Sequence, residues 1–397
     1  MRARDLGITI GLLPTGPLNA ITDVGGVRVG HATVIDGDGP LVVGRGPVRT
    51  GVTVIIPHGG ALWLDTVYAG CHRLNGNGEL TGLEWIREAG GLSGPVAITN
   101  THSVGTVRDA IITAAVRERA LGDAWALPVV GETWDGQLND IDGQHVRPEH
   151  LFQALDAAKG GPVPEGNVGG GTGLICHDFK GGIGTASRVV GREQGGFTVG
   201  ALVQANYGHR ERLAIDGVPV GREIPISEVP SGWGEDPASP VEGTLPAADV
   251  GPGPSLRAGP GPGSGSIIVI LATDAPLLPH QCERLAQRAG LGVARTGGAG
   301  ENSSGDLFLA FATGNGPFRI RELPDASLTH SVTTLDDAYI SPLFWAAIEA
   351  TEEAIANALV AAETMTGIDG NTAYAIPHDR LREIFARHRP PAAPVPG

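Results

Sequence analysis

The feature that most constrains this chain is an abrupt change of texture at Gly265–Ser266. Upstream, residues 227–265 are crowded with proline and glycine, and Trp233 is their sole aromatic. Downstream, Ile267 to Ala272 is an unbroken apolar run rich in β-branched side chains. A run of this kind, opened by turn residues, predicts a strand buried on both faces. Such a strand needs partners beside it and cover above and below. The proline–glycine stretch has too few apolar side chains to supply them and reads as a mobile surface linker. The partners must come from the N-terminal half, so residues 1–397 read as one compact domain with two layers of sheet and a nickable loop. Ser266 is then a hydroxyl at the mouth of a core strand. At this point two readings stand: a serine that merely opens a strand, or the nucleophile of a chain that cuts itself at this junction.

Glycine-bounded apolar stretches predict short strands at Gly26–His31, Gly51–Pro57, Gly94–Asn100 and Leu127–Glu132. Between the last two, Val107–Leu121 has apolar residues at helical spacing and runs into Gly122, a suitable C-cap. A strand–helix–strand unit of this length belongs to a layered α/β domain. Two glycine-rich clusters follow, Gly166–Gly173 and Phe179–Ser187, then a strand over Phe197–Ala205 that ends at Asn206. Beyond Ser266 the pattern predicts a helix over Pro279–Ala289, a strand over Leu307–Thr313 and a long helix over Ser341–Thr364. Pro342 falls in the first turn of that helix, where proline is tolerated. Residues 389–397 read as a frayed end.

Several chemistries are excluded. A net charge of −15 argues against a nucleic-acid surface and against anionic membranes, and no stretch is long and apolar enough to span a bilayer. Cys71, Cys176 and Cys282 are too far apart to form a CxxC metal site or a disulfide framework, which points to a reducing compartment. Asp5, Pro14 and Pro17 interrupt the first twenty residues, leaving no apolar core for a secretion signal, so the expected location is cytoplasmic. There is no HExxH, no phosphate loop and no GxSxG, and the glycine clusters lack GxGxxG spacing. Cys71-His72 and Cys176-His177 are adjacent pairs, and adjacent side chains do not converge on one ion.

What remains is a nucleophile that brings its own base. Breaking Gly265–Ser266 would give Ser266 a free α-amine with a pKa of about 8, able to take the hydroxyl proton near neutrality. Glycine before the serine leaves its carbonyl open to attack. The chain also resembles a known family over nearly its whole length. The matching motifs are Asn19–His31, Pro47–Gly51, Val130–Gly136 with Leu138–Asp140, Phe179–Ser187, Val203–Gly208, Gly265–Leu277, Asn302–Asp306 and Ala361–Gly367. They are similar to those of the self-processing N-terminal-serine aminopeptidases, which include the L-aminopeptidase/D-esterase and the β-peptidyl aminopeptidases.

The resemblance implies an αββα four-layer sandwich. It implies cleavage at Gly265–Ser266 into fragments 1–265 and 266–397, and a homo-oligomer of processed pairs. It also implies an amidohydrolase that removes N-terminal residues from short peptides, amides or esters bearing a free amine, without a cofactor. Ser266 matches the nucleophile, and Ser304 and Asp306 match the residues that polarise it; as plain residues these two could be a polar turn before a strand. Asn206 matches the oxyanion donor, or is a strand-ending turn residue. Glu132 matches the carboxylate that grips the substrate ammonium, or is a solvated strand end. Trp134 stands where the family commonly has a tyrosine, and an indole offers one N–H but no hydroxyl. Lys180 matches a lysine of the related nylon-oligomer hydrolases, or caps a glycine turn. Alternative functions on this scaffold are an ornithine-type acyltransferase, disfavoured by serine in place of threonine, and a non-catalytic binding protein.

Overall fold

The computed structural model describes residues 1–118, 125–233, 265–318 and 329–389. The first half contributes strands β1 (Arg28–Asp36), β2 (Val48–Ile56), β3 (Thr66–Arg73), β4 (Gly91–Ser93), β5 (Val96–Asn100) and β6 (Val129–Thr133). After them come β7 (Ile175–Cys176), β8 (Phe179–Lys180), β9 (Gly182–Val189), β10 (Thr198–Asn206), β11 (Ser266–Thr273) and β12 (Gly305–Ala312). The α-helices are α1 (Leu83–Ala89), α2 (Val104–Arg117), α3 (Pro148–Asp156), α4 (Val220–Glu223), α5 (Pro279–Arg295), α6 (Ser341–Ala361) and α7 (His378–His388).

β11, the strand that opens at Ser266, lies inside a six-stranded sheet of order β4-β3-β12-β11-β10-β9, antiparallel to β10 and parallel to β12. Its alternating side chains serve two cores. Ile268, Ile270 and Ala272 meet Ile55, Val96, Ile98 and Val129 of the second sheet, whose order is β1-β2-β5-β6. Ile267, Val269 and Leu271 face α5 and α6 through Leu285, Ala289, Ala350 and Ala354. Burying each such aliphatic side chain is worth about 1.5–3 kcal/mol. On the outer face of the four-stranded sheet, Val52, Val54, Ala97 and Val130 pack on α2 and α3 through Val107, Ile111 and Leu151. The layers are therefore helices, sheet, sheet, helices, the αββα sandwich. The sheet around β11 draws strands from both sides of the 227–265 stretch, so neither half is a separate domain.

Three differences from the sequence reading have physical causes. First, α5 continues past Ala289 through Gly290 and Gly292 to Arg295. A Cβ on Gly292 would lie 2.6 Å from Thr351 Cβ, so glycine is there to let α5 approach α6, and packing outweighs its poor helix propensity. Second, the cluster Phe179–Ser187 is largely β8 and β9, and its glycines are contact points. A Cβ on Gly184 would lie 1.9 Å from the Ala354 carbonyl oxygen of α6. Third, the start of the expected linker is packed: Val229 and Ser231 are buried, and Gly232 abuts Ile175 and Ala373. Residues 234–264, Gly122 and residues 390–397 lie outside the described residues.

Candidate active site

The site forms where three strand ends meet. Ser266 is paired with Asn206 across the antiparallel β10–β11 register and with Gly305 across the parallel β11–β12 register. Ser304 and Asp306 flank Gly305, so sheet pairing alone brings Ser266, Asn206, Ser304 and Asp306 together. Ser266 is buried, and its Oγ donates to the Gly265 carbonyl oxygen at 2.7 Å. That oxygen also accepts the Gly305 N–H at 3.0 Å. Gly265 has a structural reason to be glycine beyond easy attack on its carbonyl. A Cβ there would lie 1.9 Å from the Asn206 carbonyl oxygen.

Ser304 Oγ donates to Asp306 Oδ1 at 2.6 Å, and the Ile267 N–H donates to the same carboxylate. Both side chains are buried, at the end of the turn that leads into β12. Burial pushes the Asp306 carboxyl up to about 6 against the pull of the Ser304 and Ile267 hydrogen bonds. The Asp306 N–H is in turn tied to Asn75 Oδ1 at 2.7 Å.

The Asn206 amide is held from both ends. Its Oδ1 accepts the Ile175 N–H at 2.8 Å, and its Nδ2 donates to the Trp134 carbonyl at 2.9 Å. One Nδ2 hydrogen is left to give. Glu132, near the end of β6, is buried and is not a solvated strand end. Its carboxylate accepts the Glu79 N–H at 3.0 Å and the Thr101 hydroxyl. Burial raises its pKa, and those two hydrogen bonds oppose the rise. Gly78 lies between Glu132 and Gly305, the β12 partner of Ser266: a Cβ there would lie 2.9 Å from Glu132 Oε1 and 3.2 Å from Gly305 Cα.

Trp134 is half-buried and stacks on Trp233, with ring centroids 6.0 Å apart and planes at 14°. Lys180 is fully buried; its Nζ donates to the carbonyls of Gly181 at 2.7 Å and Gly171 at 3.3 Å. Burial lowers its pKa to about 7, while Cys176 and Asp135 act to raise it. Among the described residues, no group of three or more His, Cys, Asp or Glu is placed to hold a metal.

The loop after β3 escapes the sequence reading. Its run Asn75-Gly-Asn-Gly-Glu79 looks like turn chemistry, yet Asn75, Gly78 and Glu79 support Asp306 and Glu132. Asp135 also escapes it. Burial pushes this carboxyl up to about 7, against the bond its Oδ1 accepts from the Asn139 amide at 2.9 Å.

The model of peptidase family S58 matches residues 19–373. A β-peptidyl aminopeptidase of Sphingosinicella microcystinivorans is 48% identical over 392 residues, covering 99% of this chain and 93% of the relative. Among solved structures, a Burkholderia β-aminopeptidase superposes with a TM-score of 0.83 at 52% identity, over 98% of this chain and 99% of that one. The L-aminopeptidase D-Ala-esterase/amidase of Ochrobactrum anthropi, described as a variant of the Ntn hydrolase fold, superposes at 0.82 with 43% identity, over 98% of each chain. With strand ends, buried carboxylates and whole-length similarity in agreement, this chain is a hydrolase of peptide bonds and belongs to peptidase family S58.

Proposed function

We propose that the chain severs its own Gly265–Ser266 bond and then acts as an aminopeptidase on short peptides, amides or esters, β-peptides among them. The observation that carries this reading is the Ser266 hydroxyl held 2.7 Å from the Gly265 carbonyl oxygen, with the Gly305 N–H on the same oxygen. In self-cleavage, Ser266 Oγ attacks the Gly265 carbonyl carbon while the Gly305 N–H steadies the charge growing on oxygen. The C–N bond then breaks, the Ser266 nitrogen leaves with the hydroxyl proton, and an ester joins Gly265 to Oγ. Water hydrolyses that ester, giving a Gly265 carboxylate and a Ser266 with free hydroxyl and α-amine.

The α-amine now serves as base. Ser266 Oγ attacks the substrate carbonyl carbon and passes its proton to its own amine, which delivers it to the departing amine. The free Nδ2 hydrogen of Asn206 donates to the oxyanion, a contact worth roughly 2.7–4 kcal/mol in comparable sites. Asp306, oriented by Ser304, stabilises the transient ammonium of Ser266. Glu132 binds the substrate's own ammonium, which confines cleavage to the N-terminal residue. Water then releases the acyl group. The mature unit is the pair 1–265 and 266–397, assembled as a homo-oligomer of such pairs in a reducing cytoplasm that suits its three buried thiols.

Intact-mass measurement during incubation tests this directly. Two fragments meeting at Gly265–Ser266 are expected, with Ser266→Ala remaining a single chain that does not hydrolyse aminoacyl p-nitroanilides. A protein that stays full-length and still hydrolyses them would overturn the mechanism. Parallel assays with α- and β-aminoacyl anilides assign the backbone preference.

A further inference from the structure

We infer that Trp134 and Trp233 form an aromatic shelf that selects substrates whose N-terminal residue carries an apolar or aromatic side chain. The inference rests on the aminopeptidase reading above and adds a determinant of specificity to it.

The two indoles are attached to the reaction centre through main-chain bonds. The groups that clamp the Asn206 amide are the Trp134 carbonyl and the Ile175 N–H. Trp134 carries one indole. Ile175 belongs to the small apolar cluster of Leu138 and Ala373 on which Trp233 and Met365 pack. The near-parallel stack of the two rings thus lies a hydrogen bond and a side chain away from the oxyanion position. Both residues are half-buried.

Trp233 is held there by an anchor disproportionate to a loop residue. Its N–H donates to Ser231 Oγ at 3.2 Å, and Ser231 Oγ donates to Asp178 Oδ1 at 2.7 Å. The Gly232 N–H reaches the Asp178 carbonyl at 3.1 Å. Asp178 Oδ2 in turn accepts the N–H of Arg210 at 2.7 Å, and the Arg210 guanidinium is buried over the Phe179 ring. His177 and Asp178 both sit in the left-handed region, at φ 49° and 63°. Consecutive non-glycine residues are disfavoured there and persist only where surrounding contacts impose it. Trp233 is fixed in position by these contacts and left partly open. A flat pair of indoles offers dispersion and edge-to-face contact to apolar and aromatic groups, and its negative ring faces disfavour an anionic side chain.

The experiment compares kcat/KM for phenylalanyl and alanyl p-nitroanilides, in whichever backbone class the enzyme prefers, within one preparation so that losses of folded protein cancel. Trp233→Ala is expected to lower the Phe:Ala ratio by roughly tenfold, through KM, and Trp233→Phe to restore most of it. Ser231→Ala, which loosens the anchor and leaves the ring in place, shifts the ratio the same way and replaces Trp233→Ala if that variant does not fold. A ratio unchanged by Trp233→Ala, or by Ser231→Ala standing in for it, overturns the shelf. If the unaltered protein hydrolyses neither anilide, the aminopeptidase reading itself fails. The shelf is then judged by quenching of indole fluorescence: tighter binding of phenylalaninamide than alaninamide, lost in the variant, supports it, and equal binding overturns it.

Discussion

Burial governs the charge of the carboxylates around Ser266, and with it the pH response. The folded pKa of Asp306, about 6, lies above the ordinary value of 3.8, so the folded state holds this proton more tightly than the unfolded state. The contribution of Asp306 to stability is therefore greatest when it is protonated, and it falls as pH rises from about 4 to about 6. Its proposed role, steadying the Ser266 ammonium, requires the opposite form. Hydrolysis of an aminoacyl p-nitroanilide by the cleaved protein is therefore expected to slow as pH falls and this carboxyl takes up its proton. A kcat–pH profile checks this, and Asp306→Asn should be slow throughout and lack that limb. Glu132 makes a separable contribution. Glu132→Gln keeps the shape and removes the charge, so KM for a substrate with a free amine should rise by roughly 10–100-fold with kcat little changed.

At the scale of elements, glycine decides how closely layers approach. The clusters without dinucleotide-binding spacing are contact points: a Cβ on Gly182 would lie 2.2 Å from the Gly166 carbonyl oxygen, and one on Gly171 2.5 Å from the Ile183 nitrogen. Gly184 does the same between β9 and α6. Gly184→Ala has no flexible side chain to displace, only the backbone of α6, and should cost about 1–3 kcal/mol or more in a urea titration. Gly7, by contrast, has nothing within 4 Å of its added Cβ. Its φ of 78° makes substitution a matter of backbone conformation alone.

Across the whole molecule, a buried ionic network ties residues before the 227–265 stretch to residues after it. Arg188 is fully buried and bonds Glu353 Oε2 at 2.6 Å, Glu349 Oε2 at 3.1 Å and the Ile10 carbonyl at 2.7 Å. Arg4 and Asn19 also reach Glu353, and Asn357 accepts the Ala3 N–H. Burial alone would raise the Glu353 carboxyl, yet Arg4 and Arg188 hold it below the usual range. With β11 between β10 and β12, the proposed fragments 1–265 and 266–397 should co-elute and part only in denaturant. Arg188→Met leaves two buried carboxylates short of a partner, and a loss of about 3–5 kcal/mol is expected from the shift in the urea midpoint.

Local pattern by itself determined the buried strand at Ser266 and the long helix α6, because apolar periodicity and turn chemistry act between near neighbours. Ser266 stands out by its place at the junction, while Asn206, Ser304 and Asp306 are candidates through the family resemblance; strand pairing brings the four to one place. Only the tertiary structure decided the rest. The local pattern does not mark β3 as a strand, and its Gly70 is a contact for α5, where a Cβ would lie 2.2 Å from the Glu283 nitrogen. Glu132 became a buried carboxylate through Glu79 and Thr101, which lie 53 and 31 residues away along the chain. Trp233 left a supposed linker for the side of Trp134 through Asp178 and Ser231. Burial, carboxylate charge and close backbone approach depend on what arrives from distant parts of the chain, and no local pattern encodes that arrival.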